Sequence, residues 1–210
     1  MITCLCPELT AITTIPAQTC GENIGQIVKV LFQRKQVTPS FPTRAGAGAG
    51  DAGVLASWTA LKAAVAGTKI QSTPYMENAV VPPAEMQFEG GGTNETLDGQ
   101  PIPTMPSPIQ VTGRFRSLPA DIFTALETYN CELNLSVYLV NGDGVIWGWK
   151  PATGSGTTFQ GIDIGRWTIT DGGNEGYGTY DLTPFAFSLR YGWRKRLVAV
   201  KPADFSGRDL

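Results

Sequence analysis

The chain has 210 residues, 42% apolar and only 16% charged, enough for one ample core and too apolar for disorder along most of its length. Sixteen basic against eighteen acidic residues leave a charge of −2, which argues against a protein that coats nucleic acid. Histidine is absent, which excludes Ser-His-Asp and Cys-His nucleophile systems and every metal site built on imidazole.

The first 23 residues carry three of the four cysteines and little periodicity, and they read as an N-terminal arm. Ile24–Arg34 is apolar and β-branched, with Ile27, Val28, Val30, Leu31 and Phe32, and predicts a strand. From about 37 to 53 the composition turns to Pro, Gly and Ala, which predicts a loop. Asp51 is placed to cap a helix over 54–66, whose Val54, Trp58, Leu61 and Val65 share one face before Gly67 closes it. Residues 72–110 hold seven prolines and Gly90-Gly91-Gly92, and read as a long irregular segment of functional or self-associating character. Val111–Phe115 predicts a short strand. A second helix is expected over 119–129, with Pro119 in its first turn and Ile122, Phe123, Leu126 and Tyr129 on one side.

The C-terminal half alternates most clearly. Cys131, Leu133, Leu135, Val137 and Leu139 interleave with polar or amphipathic residues, which predicts a half-buried strand. Asn141-Gly142-Asp143-Gly144 supplies a hairpin turn, and Val145–Trp149 returns beside it. Alternation through Ile162, Ile164, Trp167 and Ile169 changes phase near Gly165, the mark of a bulge. Asp171-Gly172-Gly173-Asn174 is another turn, Phe185–Tyr191 and Leu197–Val200 are strands, and 202–210 reads as a polar tail extending from the body. The expected architecture is mainly β: an antiparallel sandwich or barrel-like domain over 24–201 with two short helices and extended arms and loops.

Few residues carry chemistry. Cys4, Cys6, Cys20 and Cys131 lack the paired knuckles of a zinc site and read as ordinary thiols. Gly90-Gly91-Gly92-Thr93-Asn94-Glu95-Thr96 lacks the Gly-Lys-Ser/Thr ending of a phosphate loop and reads as a loop tip. Glu132 with Asp143, or Asp163 with Asp171, are the carboxylate pairs available to glycosidase chemistry, with Trp147, Trp149 and Trp167 as stacking platforms. The bland reading of those tryptophans is core. Arg190, Arg194, Lys195 and Arg196, beside Tyr191 and Trp193, form the one basic cluster. It reads as a solvated strand end or a contact between subunits that receives acidic loops. No catalytic, cofactor or metal residues are expected.

The segment Asp121-Ile122-Phe123-Thr124-Ala125-Leu126-Glu127-Thr128-Tyr129 leads straight into the hairpin 131–149. It is followed by Gly161-Ile162-Asp163-Ile164-Gly165-Arg166-Trp167, Pro184-Phe185-Ala186-Phe187-Ser188-Leu189, Gly192-Trp193 and Pro202-Ala203-Asp204-Phe205. This organisation, over about 110–205, resembles the tail tube (major tail) proteins of tailed bacteriophages. The resemblance implies a virion protein assembled in the host cytoplasm, with six copies joining sheets into a ring and rings stacking through arms and loops. Its partners would be itself and other tail proteins, with DNA only as non-specific cargo in the lumen and no membrane. Other readings are another virion part (tail terminator, hub or capsid decoration) or a carbohydrate-binding β-sandwich using exposed Trp147, Trp149 or Trp193. For self-association, Ile2, Leu5, Leu9, Ile12, Ile15, Phe205 and Leu210 are the candidates, apolar residues on segments without core periodicity. The loops 45–50 and 89–99 are expected to order against neighbouring subunits.

Overall fold

The structure, a computed structural model, describes residues 23–36, 38, 40–44, 48, 50–65, 67–90, 101–151, 157–174 and 176–210. Among the described residues, twelve strands and two α-helices run in the order β1 (Ile27–Arg34), α1 (Leu55–Ala63), β2 (Ile70–Ser72), β3 (Glu77–Val80), β4 (Met86–Glu89), β5 (Ile102–Pro106), β6 (Ile109–Arg116), α2 (Ala120–Glu127), β7 (Leu135–Asn141), β8 (Ile146–Trp149), β9 (Ile162–Ile169), β10 (Gly173–Asn174), β11 (Asp181–Leu189) and β12 (Leu197–Val200). The mainly β expectation holds. Six strands close on themselves, β7-β9-β11-β6-β3-β1 and back to β7, with every pairing antiparallel. Closure gives each of these strands a paired neighbour on both sides, though β3 meets β1 only at Ile27 and Ala79. At β1 and β7 the sheet also continues sideways into β2 and into β8 and β12.

That branching creates two cores on opposite faces of the same sheet. The barrel interior holds Val30, Phe32, Val137, Leu139, Trp147, Trp149, Trp167, Phe185 and Phe187, among others. The outer face of β1, β7 and β8 carries a second cluster of Leu31, Phe41, Trp58, Tyr138, Val140, Ile146, Phe159 and Leu210. Strand β7 lies between them, so every one of its residues is buried. The alternation read from 131–139 therefore marks two apolar faces, not one face in water: Tyr138 is fully enclosed, and Cys131 and Leu133 fall before the strand and are exposed.

Two bulges set which face side chains occupy. On β9, Trp167 pairs with Phe187 and Ile164 with Leu189, so Gly165 and Arg166 together oppose Ser188, where the sequence changes phase. On β1, Ile27 pairs with Asn141 and Lys29 with Val140, an extra residue that turns Lys29 toward the outer core. Gly148 of β8 has no room for a side chain: a Cβ there would lie 2.6 Å from the Gln160 carbonyl oxygen and 2.7 Å from the Phe159 ring. Gly148→Ala is expected to cost about 1–3 kcal/mol as overpacking, read as a lower urea midpoint with an unchanged slope.

The helices are shorter than their periodicity suggests. Val54 occupies the N-cap position of α1 with no side-chain cap, while the Asp51 carboxylate accepts the Gly48 N–H at 2.7 Å. Trp58 is fully buried and donates its Nε1–H to the Ala52 carbonyl at 2.8 Å. Beyond Ala63 no core remains to cover, so the helix stops before Gly67 and Val65 is 90% exposed. Helix α2 begins one residue after Pro119, then tightens into a 3-10 turn at Thr128–Cys131. Its Leu126 is buried and Ile122, Phe123 and Tyr129 pack on the barrel core, the face that the sequence reading named. Asn130 pins this end to β9, donating to the Ile169 carbonyl at 3.1 Å and accepting its N–H at 2.9 Å.

Two expectations are corrected. The segment 72–110 is not irregular throughout: β3 closes the barrel, and β4 pairs with β5 as a separate hairpin. The tail does not extend from the body. Its 3-10 turn at Gly207–Asp209 is held by a capping box between Ser206 and Asp209. The Gly207 N–H donates to the Gly144 carbonyl at 2.9 Å, and Leu210 is buried in the outer core with Phe205 half-buried against it. The main chain makes most of these contacts, which is why a polar composition hid them.

Candidate functional site

Four features outside the cores invite a functional reading. One is a groove of about 1120 Å³ at the end of the barrel where β1 finishes, between β2 and α2. Its floor is Phe32, Leu126, Tyr129 and Leu135, and Arg34, Lys69, Asp121 and Glu132 stand on its rim. Tyr129 stacks on Phe32 with ring centroids 4.8 Å apart. Burial raises the Tyr129 phenol above its ordinary range, with Glu132 adding to the shift and Arg34 opposing it. Arg34 and Glu132 neutralise each other at 3.1 Å. The groove therefore offers an aromatic floor with one ion pair, Arg34–Glu132, on its rim.

The carboxylate pairs fail on geometry. Glu132 precedes β7 and Asp143 follows it, so a seven-residue strand separates them. Asp163 is held to Lys35 at 3.1 Å near the start of β9, and Asp171 lies beyond its far end. At about 3.3 Å per residue each pair is roughly 20 Å or more apart along its strand, against about 5–9.5 Å for carboxylates that flank one glycosidic bond. The sugar platforms are also missing: Trp147, Trp149, Trp167 and Trp193 are 4%, 6%, 0% and 4% exposed. Trp149 spends its indole N–H on the Trp193 carbonyl at 2.8 Å. Among the described residues no group of three or more Cys, Asp or Glu is placed to hold a metal ion.

A second groove, of about 620 Å³, opens at the other end of the barrel, beside residues 23–25 that lead into β1. Pro82, Pro83, Ile109 and Trp193 give it apolar walls, and Tyr191, Arg194 and Lys195 stand over it. Gly192, with φ of 77°, lets the chain turn sharply into the 3-10 helix Trp193–Arg196, and the buried Trp193 ring anchors that helix. Arg190, Arg194, Lys195 and Arg196 thereby come together, all exposed. The basic cluster noted in the sequence is a real surface feature.

The fourth feature is the β4–β5 hairpin. Met86 pairs with Pro106, Phe88 with Pro103 and Glu89 with Ile102, and the Ser107 N–H donates to the Glu85 carbonyl at 2.8 Å. All four residues of β4 are exposed, with Met86 at 45%, Phe88 at 62% and Ile102 at 56%. Among the described side chains of its two strands all but the half-buried Pro106 are exposed, so little apolar burial among the described residues supports it. A lone two-stranded hairpin is marginal in water at best. The sequence signal was present but faint: Met86-Gln87-Phe88-Glu89 alternates, and flanking prolines mask it.

The self-association candidates divide. Ile2, Leu5, Leu9, Ile12 and Ile15, together with Cys4, Cys6 and Cys20, lie outside the described residues, as do 45–47, 49 and 91–99 of the two loops. Phe205 and Leu210 lie on this chain's own outer core. Leu210, at 4% exposure, is a core residue and presents no docking surface here. No family model matches the chain, and no curated protein or solved structure matches it at a significant level.

Proposed function

We propose that this chain is a structural subunit that assembles with copies of itself into rings, and that it serves as a tail tube protein of a bacteriophage virion. The observation that carries the reading is the β4–β5 hairpin, ordered and apolar yet exposed on both faces. Met86, Phe88 and Ile102 each gain about 1.5–3 kcal/mol if a neighbour buries them fully, and ring symmetry repeats that gain at every interface. The enclosed tryptophans and the distant carboxylates speak for a structural role over sugar binding or hydrolysis. A lumen lined by a mildly acidic subunit lets DNA pass without gripping it.

Negative-stain microscopy and sedimentation of the concentrated full-length protein test the reading. Rings or tubes on the order of 100 Å wide are expected, from the size of one domain arranged sixfold. The double variant Phe88→Ser/Ile102→Ser is expected to keep the monomer's circular dichroism and thermal midpoint while abolishing the particles. The reading fails if the intact protein stays monomeric at every concentration, with and without tail-initiating proteins.

A further inference from the structure

We propose that the acidic β4–β5 hairpin of one copy docks in the basic, apolar groove beside Trp193 of a second copy. The proposal rests on the self-assembly reading above and names its contact. Between Ile70 and Gly113 the chain has no Lys or Arg, but it carries Glu77, Glu85, Glu89, Glu95 and Asp98. Glu85 and Glu89 are exposed on the hairpin beside Met86 and Phe88. The groove has the complementary make-up: Arg194 and Lys195 over walls of Pro82, Pro83 and Trp193. No acidic residue occurs between Arg190 and Lys201. The ion pairs among the described residues, Arg34–Glu132, Lys35–Asp163 and Arg116–Glu77, involve none of the groove's cations and neither hairpin glutamate. Among the described residues, an amphipathic acidic hairpin and an amphipathic basic groove thus stand without an ion-pair partner.

The occupant has to come from another copy. The hairpin springs from the rim of its own groove, since Ala84 lines the groove and β4 begins at Met86. None of its strand residues lines the groove in this structure. Each copy therefore gives a hairpin and receives one, and repetition of that contact closes into a ring when its rotation is an integral fraction of a turn. Charge complementarity fixes which face meets which and suppresses the alternatives, because like charges brought together are costly.

Charge exchange tests the contact in the full chain. Two variants are prepared, Arg194→Glu/Lys195→Glu and Glu85→Lys/Glu89→Lys, and sedimentation measures association alone and in equimolar mixture at low and moderate salt. Each variant alone sets like charge against like and is expected to associate at least about tenfold more weakly than wild type. The mixture pairs opposite charges at every contact, and is expected to return to within about threefold of wild type as alternating complexes. If either variant misfolds, the neutral pair Arg194→Gln/Lys195→Gln decides by losing the salt dependence of association. Wild-type association in either variant alone, or no recovery in the mixture, overturns the contact and leaves the self-assembly reading standing. Binding of a short DNA duplex that needs Arg194 and Lys195, with association unchanged in their variant, assigns the groove to nucleic acid and overturns it. A wild-type chain that never associates overturns both.

Discussion

Truncation after Lys201 is expected to lower the free energy of unfolding by about 4–6 kcal/mol, enough to leave much of the chain unfolded where its stability lies near the low end, about 5 kcal/mol, of the ordinary range. Leu210 fills part of the outer core, and losing a buried leucine side chain costs about 2–5 kcal/mol. The tail also satisfies polar groups. Lys29, at 8% exposure, donates its ammonium to the Arg208 carbonyl at 2.8 Å and lies 4.6 Å from the Tyr75 ring centre. Tyr75 donates to the same carbonyl at 3.0 Å, and Lys62 donates to the main-chain oxygen of Leu210. The hydrogen bonds that Lys29 and Tyr75 give to the Arg208 carbonyl, exchanged for water on truncation, add about 0.5–1.5 kcal/mol each. Urea unfolding at neutral pH measures the sum, and Leu210→Ala isolates the packing share. An unchanged midpoint in the truncated chain would return Leu210 to the role that composition first suggested, a contact between copies.

The same contacts fix a pH dependence. Desolvation holds the Lys29 ammonium below its ordinary 10.5, Lys62 adds to that shift, and Asp209 opposes it. The unfolded chain therefore binds the proton more tightly, so this group's contribution to stability rises with pH up to 10.5. Truncation exposes Lys29 and should remove that slope, which a urea series at pH values approaching 10.5 from below detects.

What was legible in the sequence follows period and punctuation. Phe185-Ala186-Phe187-Ser188-Leu189 alternates over one face of a barrel wall, and β11 lies there. The phase change at Gly165 is a bulge because glycine is the residue that tolerates close approach to Ser188. The outer core left no such trace. Phe41 and Phe159 meet across an isolated bridge between two loops, Trp58 comes from a short helix, and Leu210 comes from the tail. Phe41, Phe159 and Leu210 are single apolar residues among small or polar neighbours, and the period around Trp58 stays within its own helix, so no period links the four; only the fold brings them together. One half of the candidate contact was readable as Arg190, Arg194, Lys195 and Arg196, because charges cluster visibly in a chain. Its other half was not, because Pro101, Pro103, Pro106 and Pro108 crowd β5 and hide a paired strand. An edge position tolerates those prolines, since the missing N–H faces no ladder partner.

Trp58→Ala is expected to cost about 3–5 kcal/mol, the range for removing a large aromatic side chain from a packed core. Trp58 is the centre of an aromatic box, 4.4 Å from Phe41 and 5.1 Å from Tyr138 between ring centroids, and it alone joins α1 to the sheet with a fully buried side chain. Its loss also leaves the Ala52 carbonyl without its indole donor. Tyr138 reports on the cavity independently of stability. Its hydroxyl donates to Gln33 Oε1 at 3.0 Å. Burial pushes its ionisation far above the ordinary 10.0, and hydrogen bonding at Ser40 and Gly161 only partly offsets this. Because the folded value is the higher one, Tyr138 contributes fully to stability below pH 10, and that contribution is lost as pH rises further. Water entering this cavity to bond the freed Ala52 carbonyl lowers the cost of the phenolate. Folded Trp58→Ala should therefore show phenolate absorbance at a lower pH than wild type, and adding Tyr138→Phe should abolish the difference. A loss under about 1 kcal/mol, together with an unmoved phenolate titration, would mean that the box collapses onto the gap and that Trp58 does not organise the outer core.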